Sequence, residues 1–140
     1  DQVKNVNQSL VVELTQFQNL IEQTRQTDEI PVVIGGDHSL SFASINALLK
    51  RAGDCAKVGY IQIDSHGDMN LASDSPTGNF HGMYLRPFLS NFDLPEFDDL
   101  VSQKLKAANV IFIGNLYLQR QLFATRHKSI AENCNIYIFI

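Results

Sequence analysis

Two stretches of the sequence have the period of an amphipathic helix. In residues 6–27, apolar side chains recur at steps of three and four, with polar side chains between them. These apolar positions are Leu10, Leu14, Phe17 and Ile21. The same period returns at Ser39 and continues to about residues 51–53. We therefore predict two helices, each with one face directed at the core.

Four short apolar runs alternate with helical stretches and have the length of buried strands. They are residues 30–34 (IPVVI), 58–63 (VGYIQI), 109–114 (NVIFIG) and 135–140 (NIYIFI). Further helices are predicted at 95–108, where a proline and acidic residues mark a first turn, and at 119–133. This alternation indicates βαβ units. We therefore predict an α/β fold with three layers, α/β/α, around a mostly parallel sheet.

Composition places the chain among ordinary globular proteins. Its 140 residues fit one domain, with 44% hydrophobic and 19% charged residues. The net charge is −4, and the basic residues are scattered, so neither nucleic acid nor a membrane surface is an expected partner. No apolar run approaches the roughly 20 residues that span a bilayer. Cys55 and Cys134 match no zinc or redox spacing, which favours two reduced thiols in a cytoplasmic protein.

The run 58–63 is followed by three ionisable residues at alternate positions, Asp64, His66 and Asp68. If the extended backbone continues, they project to the same side, because alternate residues of a strand share a face. Gly67 would then let the backbone bend so that the three side chains converge. This segment ends one of the predicted parallel strands, which is where open α/β sheets bind their ligands.

The run 30–34 ends in two glycines, followed by Asp37 and His38 as the next helix begins. We expect His38 to reach the same edge of the sheet as the ionisable residues that follow residue 63. Asp37 is predicted to be structural: it could orient an imidazole or cap the helix from Ser39. A phosphate at this helix start is a weaker alternative, since no P-loop lysine or dinucleotide fingerprint follows.

Crowding of these groups favours a metal ion. Two ionised carboxylates a few ångströms apart raise each other's pKa, and a divalent cation removes that conflict. Imidazole and carboxylate ligands without thiolates suit Mn²⁺ better than a structural zinc site, and Asp64 could bridge two ions. The ordinary alternative is that Asp64 caps a turn, His66 bonds a carbonyl group and Asp68 is solvated.

The stretch SPTGNFHGM, residues 75–83, offers neutral hydroxyl and amide groups for a polar substrate. It contains His81, whose intrinsic pKa suits proton transfer near neutral pH. A loop histidine with no role is the alternative.

Three motifs, VVIGGDHSL, IDSHGDMN and SPTGNFHGM, resemble the ureohydrolases, and the arginase type most closely. The corresponding family motifs are GGDHS, DAHxDxN and SGNxHGM, and the resemblance runs from the opening helix to about Gly114. Family members are considerably longer. The chain is therefore expected to be one partial ureohydrolase domain, residues 1–140, without the N-terminal strand region and the C-terminal half that carries a DxD motif.

This resemblance implies a hydrolase that releases urea or a related amide from a guanidino or formimino substrate, by means of a hydroxide that bridges two Mn²⁺ ions. His38, Asp64 and Asp68 resemble the ligands of one ion, and Asp64 with His66 those of the other. Asp68 would also accept a hydrogen bond from the hydroxide. His81 aligns with a proton shuttle.

In the same family comparison, four residues align with the loop that holds the amino-acid end of the substrate. They are Asn70, Ser75, Thr77 and Asn79. The family also implies a homo-oligomer, a trimer or a hexamer.

The sequence departs from the family at two places. The family follows its next strand with a GLRDxD stretch, whereas this chain has GNLYLQ at 114–119, so agmatine and formimidoylglutamate stay open as substrates beside arginine. Two further carboxylates of the family come from the later DxD motif, so we expect the isolated chain to be inactive or poorly active. Two other hypotheses remain: a single-zinc, deacetylase-like amide hydrolase, and a non-catalytic metal-binding or assembly module.

Overall fold

A computed structural model of the chain describes residues 2–23, 30–114 and 135–139. Its helices are α1 (Gln2–Gln23), α2 (Leu40–Ala52), α3 (Arg86–Leu89) and α4 (Pro95–Asp98). Its strands are β1 (Val58–Ile63), β2 (Val110–Ile113) and β3 (Asn135–Phe139). Single 3-10 turns lie at Cys55–Lys57, Ala72–Asp74, Phe80–Gly82 and Ala107–Asn109.

The three strands form a parallel sheet in the order β2-β1-β3. Tyr60 is paired with Val110 on one side of β1 and with Tyr137 on the other. The ladder continues one residue past β1, where the Asp64 N–H donates to the Ile113 carbonyl at 3.0 Å. The predictions of parallel strands at 58–63, 109–114 and 135–140 are confirmed. Because β1 is central, the residues that follow it leave the middle of the sheet.

Helix α1 packs against α2, which in turn contacts β1. The apolar positions predicted for α1 face this packing: Leu14 and Ile21 are buried, and Leu10 and Phe17 are partly buried against the core. Helix α2 ends at Gly53, whose φ of 66° and N–H bond to the Leu49 carbonyl form a left-handed cap. Both helical predictions are confirmed over the described residues; α1 begins earlier than predicted, and residues 24–27 of its predicted range lie outside the described ones.

An aromatic cluster joins α2 to the loops that follow the site motif. Phe80 stacks on Phe97 with ring centroids 4.0 Å apart, while Phe42 of α2 lies 5.0 Å from Phe88. All four side chains are buried. Each such ring removes a large apolar area from water, so this cluster fixes the segment 80–97 beneath α2.

The strand prediction for residues 30–34 is wrong. The segment has no regular structure, and Ile30, Val32 and Ile34 are 84%, 80% and 93% exposed. An apolar run favours a strand only where a neighbouring strand can satisfy its backbone groups. Both sides of β1 are already occupied by β2 and β3. The run therefore gains no pairing with the central strand.

The helix predicted at 95–108 is also wrong beyond its first turn. Pro95 starts it as expected, but regular helix ends at Asp98. The reason lies in α2: buried Asn46 donates to the Leu100 carbonyl at 2.8 Å and accepts from the Ser102 N–H at 2.9 Å. Backbone groups that would continue the helix are thus bonded to a side chain from elsewhere in the fold.

The helix predicted at 119–133 lies outside the described residues. Its place in the predicted three-layer fold therefore stays a prediction. Within the described ranges, no helix is both long and apolar enough to cross a membrane.

Candidate metal centre

His38, Asp64 and Asp68 meet at the carboxyl end of β1. The His38 Nδ1 atom lies 3.0 Å from Asp68 Oδ2 and 3.3 Å from Asp64 Oδ2. Each residue offers one ligand atom, and these atoms all lie within 4.8 Å of one another. The Asp68 side chain is only 8% exposed, and the other two are about one-fifth exposed. Sequence reasoning expected these three side chains at one edge, and the structure brings them together.

The backbone brings them together by a turn and not by a continued strand. Regular strand ends at Ile63, and the His66 N–H donates to Asp64 Oδ1 at 2.9 Å. Asp68 has a φ of 48°, in the left-handed region that is uncommon for a residue other than glycine. The bend therefore occurs at Asp68, whereas the sequence analysis assigned it to Gly67. Asp64 caps the turn and faces His38 at the same time.

His66 lies on the other side of Asp64 from His38. Its Nδ1 is 3.4 Å from Asp64 Oδ1, and its side chain is 69% exposed. The Ser65 hydroxyl is 3.2 Å from the same nitrogen. Asp64 thus presents one oxygen toward each imidazole, the arrangement expected of a carboxylate between two positive centres.

The electrostatics favour a positive charge in this site. A hydrogen bond to Asp68 is the largest influence that raises the pKa of His38; burial opposes it, and the charges of Asp68 and Asp64 add to it. Burial acts to raise the pKa of Asp64, but the His66 N–H bond and the two imidazoles outweigh it and lower that pKa. A proton on His38 Nδ1 therefore occupies the position that a cation would take. Nitrogen and carboxylate oxygen donors, without a thiolate, fit a divalent ion such as Mn²⁺.

Three buried polar side chains lie behind His38 and Asp68 and could not be singled out from the sequence: Tyr60, Gln62 and Tyr84. Gln62 is fully buried and donates from Nε2 to Asp68 Oδ2 at 3.1 Å. Tyr84 places its hydroxyl 3.0 Å from His38 Nε2. Burial is the main cause that raises the pKa of both phenols, so they stay neutral. The available signal was a glutamine inside an apolar strand, two residues before Asp64.

Asp37 bonds both to the turn just before α2 and to an imidazole. Its Oδ1 accepts from the Ser39 N–H at 2.9 Å, and its Oδ2 lies 3.4 Å from His81 Nδ1. Burial opposes ionisation of Asp37, but the hydrogen bonds from Ser39 and the charge of His81 lower its pKa overall. The imidazole that Asp37 orients is thus that of His81, not that of His38.

The four predicted substrate residues lie in one segment that begins at Asn70, whose N–H donates to the Gly82 carbonyl at 3.2 Å. Within its exposed part, the Gly78 N–H donates to the Ser75 hydroxyl at 3.1 Å and the Asn79 N–H to the Thr77 hydroxyl at 3.3 Å. Gly78 has a φ of 67°, which favours glycine there. The loop therefore has a defined shape of its own.

Asp93 fixes the start of this loop. Its two carboxylate oxygens accept from the N–H groups of Ala72 and Ser73, each at 2.8 Å. Burial opposes ionisation, but these backbone bonds outweigh it and lower the pKa of Asp93. Sequence reasoning did not single out Asp93, because its partners are about 20 residues away along the chain.

Comparison with known proteins places the chain beside arginases. The model described as "Arginase family" matches residues 2–139. The chain is 35% identical to an arginase of Staphylococcus aureus over 114 residues, which are 81% of this chain and 34% of that protein. It is 36% identical over 96 residues to an arginase of Bacillus caldovelox, covering 67% of this chain and 31% of the relative. The chain thus spans about a third of the length of these curated relatives.

Solved structures give the same result for the fold. The native arginase of Bacillus caldovelox at pH 5.6 superposes with a TM-score of 0.68 at 30% identity, over 78% of this chain and 36% of that one. An Entamoeba histolytica arginase in complex with L-ornithine superposes with a TM-score of 0.70 at 24% identity, over 78% of this chain and 37% of that one. The helices and small parallel sheet are therefore an incomplete form of that α/β fold.

Proposed function

Because the chain belongs to the arginase family, we propose that it carries part of the active site of a metal-dependent ureohydrolase. The proposed reaction is hydrolysis of a guanidino or formimino group with release of urea or a related amide. One observation carries the proposal: the ligand atoms of His38, Asp64 and Asp68 lie within 4.8 Å of one another. The cluster lies at the carboxyl end of the central parallel strand, which is where α/β proteins bind their ligands.

Two Mn²⁺ ions are the proposed metals. His38, Asp64 and Asp68 would hold one, and Asp64 with His66 the other. The two oxygens of Asp64, one toward each imidazole, support this assignment. When bound, two divalent ions would lower the pKa of a water molecule between them, so that hydroxide is available near neutral pH to attack the substrate carbon.

The residues around the ligands have proposed roles in handling protons. Asp68 would accept a hydrogen bond from the hydroxide, and its contact with Gln62 fixes the carboxylate for this role. His81 would carry protons between the site and solvent. Its side chain is half exposed, and Asp37 lies 3.4 Å from its ring, so the imidazole is both oriented and accessible.

The substrate would bind at the loop after Asn70 through neutral groups. Asn70, Ser75, Thr77 and Asn79 offer amides and hydroxyls that pair with a zwitterion without adding charge. This favours an amino-acid substrate such as arginine over agmatine, which lacks a carboxylate. Cytoplasmic location and assembly into trimers or hexamers remain predictions from the sequence.

Calorimetric titration of the chain with Mn²⁺ tests the metal assignment. We expect the wild-type protein to bind Mn²⁺ and Asp64→Ala to lose binding, since this substitution removes a ligand from both proposed ions. Asp99→Ala is a matched control, because Asp99 is an exposed carboxylate at the end of α4. Retention of Mn²⁺ at normal occupancy in Asp64→Ala contradicts the bridging role. In a version extended with the DxD motif of the family, binding of one ion instead of two favours the single-zinc, deacetylase-like alternative.

Product assays separate an enzyme from a binding module. We expect little urea release from the 140-residue chain, because Asp64, Asp68 and one hydroxide balance only three of the four positive charges of two ions. A version extended with the DxD motif of the family should release urea from arginine or a related guanidino substrate. Metal binding without product in both versions indicates a non-catalytic module.

A further inference from the structure

A closed ring of hydrogen bonds connects the two best-buried parts of the metal centre. Behind the ligands it runs from His38 through Tyr84, Tyr60 and Gln62 to Asp68, and the contact between His38 Nδ1 and Asp68 Oδ2 closes it. We call Tyr84, Tyr60 and Gln62 the relay. Tyr60 and Tyr84 are 1% and 0% exposed, and Gln62 is fully buried, so water does not compete for these bonds.

The direction of every bond in the relay follows from its Asp68 end. Gln62 Nε2 lies 3.1 Å from Asp68 Oδ2 and 3.2 Å from the His66 carbonyl. A carboxylate and a carbonyl oxygen can only accept, so the side-chain amide must present its NH₂ group to both. The Gln62 carbonyl oxygen then faces Tyr60, at 2.9 Å from its hydroxyl. A carbonyl oxygen cannot donate, so Tyr60 donates to it.

The directions of the bonds from Tyr60 to His38 follow from the single proton of each phenol. A phenol has one proton, and that of Tyr60 is used by Gln62, so the bond of 2.9 Å between the two hydroxyls must be donated by Tyr84. Tyr84 has no second proton to give to His38. The contact of 3.0 Å between the Tyr84 oxygen and His38 Nε2 is therefore donated by an Nε2–H group. The Ser41 side chain, which also bonds to Tyr84, then acts as a further donor to that oxygen.

We propose that the relay makes His38 a metal ligand through Nδ1, because it keeps the proton of the imidazole on Nε2. A neutral imidazole has one N–H, so an Nε2–H leaves the lone pair of Nδ1 directed at the two carboxylates. Tyr84, Tyr60 and Gln62 are in this view positioning residues, which act through His38 and Asp68. The inference rests on the proposed function for the metal itself, but the hydrogen-bond direction stands on the geometry alone.

Gln62 has a second effect in the same ring. It holds the Asp68 oxygen that also faces His38, and it binds the carbonyl group of His66 in the turn. Asp68 has a φ of 48°, a backbone conformation that costs an aspartate some stability. The amide therefore bonds both to the turn and to the ligand whose backbone is strained.

Metal affinity gives the first test of the relay. Tyr84→Phe removes one oxygen and keeps the ring that packs beside His38, with ring centroids 4.6 Å apart. We expect it to weaken Mn²⁺ binding roughly 10-fold or more, the usual effect of removing a partner of a ligating histidine. Tyr60→Phe should also weaken binding, since it removes the acceptor of the Tyr84 proton, which Tyr84 can then donate to His38 Nε2. Ser102→Ala is the control, because it removes a hydroxyl bond to buried Asn46 instead.

Proton exchange of His38, followed by NMR with ¹⁵N-labelled histidine and no metal, gives the second test. The Nε2–H of His38 is bonded to the buried Tyr84 oxygen, so in the wild-type protein it should exchange slowly with water and give an observable signal. The signal should disappear in Tyr84→Phe, which leaves the proton without its acceptor. It should persist in Ser102→Ala. A general loss of packing would instead change both variants or the whole spectrum.

The two readouts separate the relay from the metal proposal. Weaker Mn²⁺ binding and a lost Nε2–H signal in Tyr84→Phe support both. Equal Mn²⁺ affinity in Tyr84→Phe and the wild-type protein overturns the relay and leaves the metal site intact. If the wild-type protein binds no Mn²⁺, the proposed function fails, and the relay is then decided by the signal alone: its presence in wild type and loss in Tyr84→Phe supports the relay, whereas its absence from wild type overturns it.

Discussion

Two buried polar clusters in this protein look alike but end on different groups. In the first, Asn46 of α2 is 1% exposed and bonds to Gln18 of α1, the Leu100 carbonyl, and both the N–H and the hydroxyl of Ser102. All its partners are neutral. The second is the relay, which ends on an imidazole and a carboxylate. We name the first the Asn46 cluster.

Because the two clusters end on different groups, they have different effects on the protein. The Asn46 cluster decides where the chain goes: it joins α1 to α2 and ends helix α4 early. The relay instead sets the position of a proton, because its bonds fix which nitrogen of His38 carries it. A satisfied neutral cluster contributes to stability and shape, whereas one that ends on ionisable groups also sets their chemistry.

The largest expected effect comes from breaking the Asn46 cluster. Asn46→Ala leaves the Leu100 carbonyl and the Ser102 N–H without their partner, and an unpaired polar group costs about 1–3 kcal/mol where water does not replace the partner. We expect the free energy of unfolding to fall by about 3 kcal/mol in total, measured by urea denaturation. Mn²⁺ affinity of the folded protein should stay unchanged. A large loss of affinity would mean that the two clusters are not separate.

Added Mn²⁺ should stabilise the protein at the residues on which the relay ends, and the Asn46 cluster should not contribute to this gain. At 100 times its dissociation constant, Mn²⁺ is expected to raise the free energy of unfolding by about 2.7 kcal/mol. His38→Ala should abolish this gain, because it removes a ligand, while Asn46→Ala should retain it from its lower baseline. Thermal or chemical unfolding with Mn²⁺ and with a chelator measures both. An equal gain in His38→Ala indicates that the ion binds elsewhere.

A smaller effect on stability is expected from Tyr84→Phe in the absence of metal. One buried hydrogen bond to His38 and one to Tyr60 are lost, and the net cost is about 1–2 kcal/mol. Combined with Asn46→Ala, the two losses should add within about 0.5 kcal/mol, as independent sites do. Unfolding of the two single variants and the double variant measures this. A deviation well above that figure shows energetic coupling between the clusters.

The smallest effect on the free energy of unfolding is expected at Asp93, whose two hydrogen bonds to backbone N–H groups are exposed to water. Asp93 is exposed, and its pKa is lowered because the Ala72 and Ser73 N–H bonds outweigh burial. A lowered pKa adds stability above the unfolded value near 3.9, and this is lost as pH falls through the folded value. Asp93→Ala should therefore cost about 0.5 kcal/mol near neutral pH, after solvent screening, and nothing in acid.

Denaturation of wild type and Asp93→Ala across this pH range checks the sign. The difference between them should shrink as pH falls. A difference that grows in acid would mean that the protonated Asp93 is the form that stabilises the loop.

Several elements could be predicted from the sequence because their signals are local. The stripe through Leu14 and Ile21 gave α1, and the apolar run 58–63 gave the central strand. The ligand types that follow residue 63 indicated a metal site, and the structure brings two of them to His38. Periodicity and residue chemistry need no knowledge of distant neighbours, which is why the predictions of α1 and the central strand were confirmed.

Other predictions failed where a distant partner decided the outcome. Helix α4 has a good start at Pro95, but it ends after one turn because Asn46, more than 50 residues away, bonds to its continuation. The run 30–34 has the composition of a strand, but the places beside β1 are taken by β2 and β3. Propensity sets what a segment prefers, and hydrogen-bond partners set what it does.

The sequence by itself determined the kinds of groups in this protein: imidazoles and carboxylates placed after a buried strand, a loop of neutral donors, and helices with one apolar face. Only the tertiary structure decided which of them meet. It directs Asp37 to His81, turns the chain at Asp68, and aligns Tyr84, Tyr60 and Gln62 behind the ligands. The physical reason is that a hydrogen bond requires two groups within about 3 Å, and the order of residues along the chain does not state that distance.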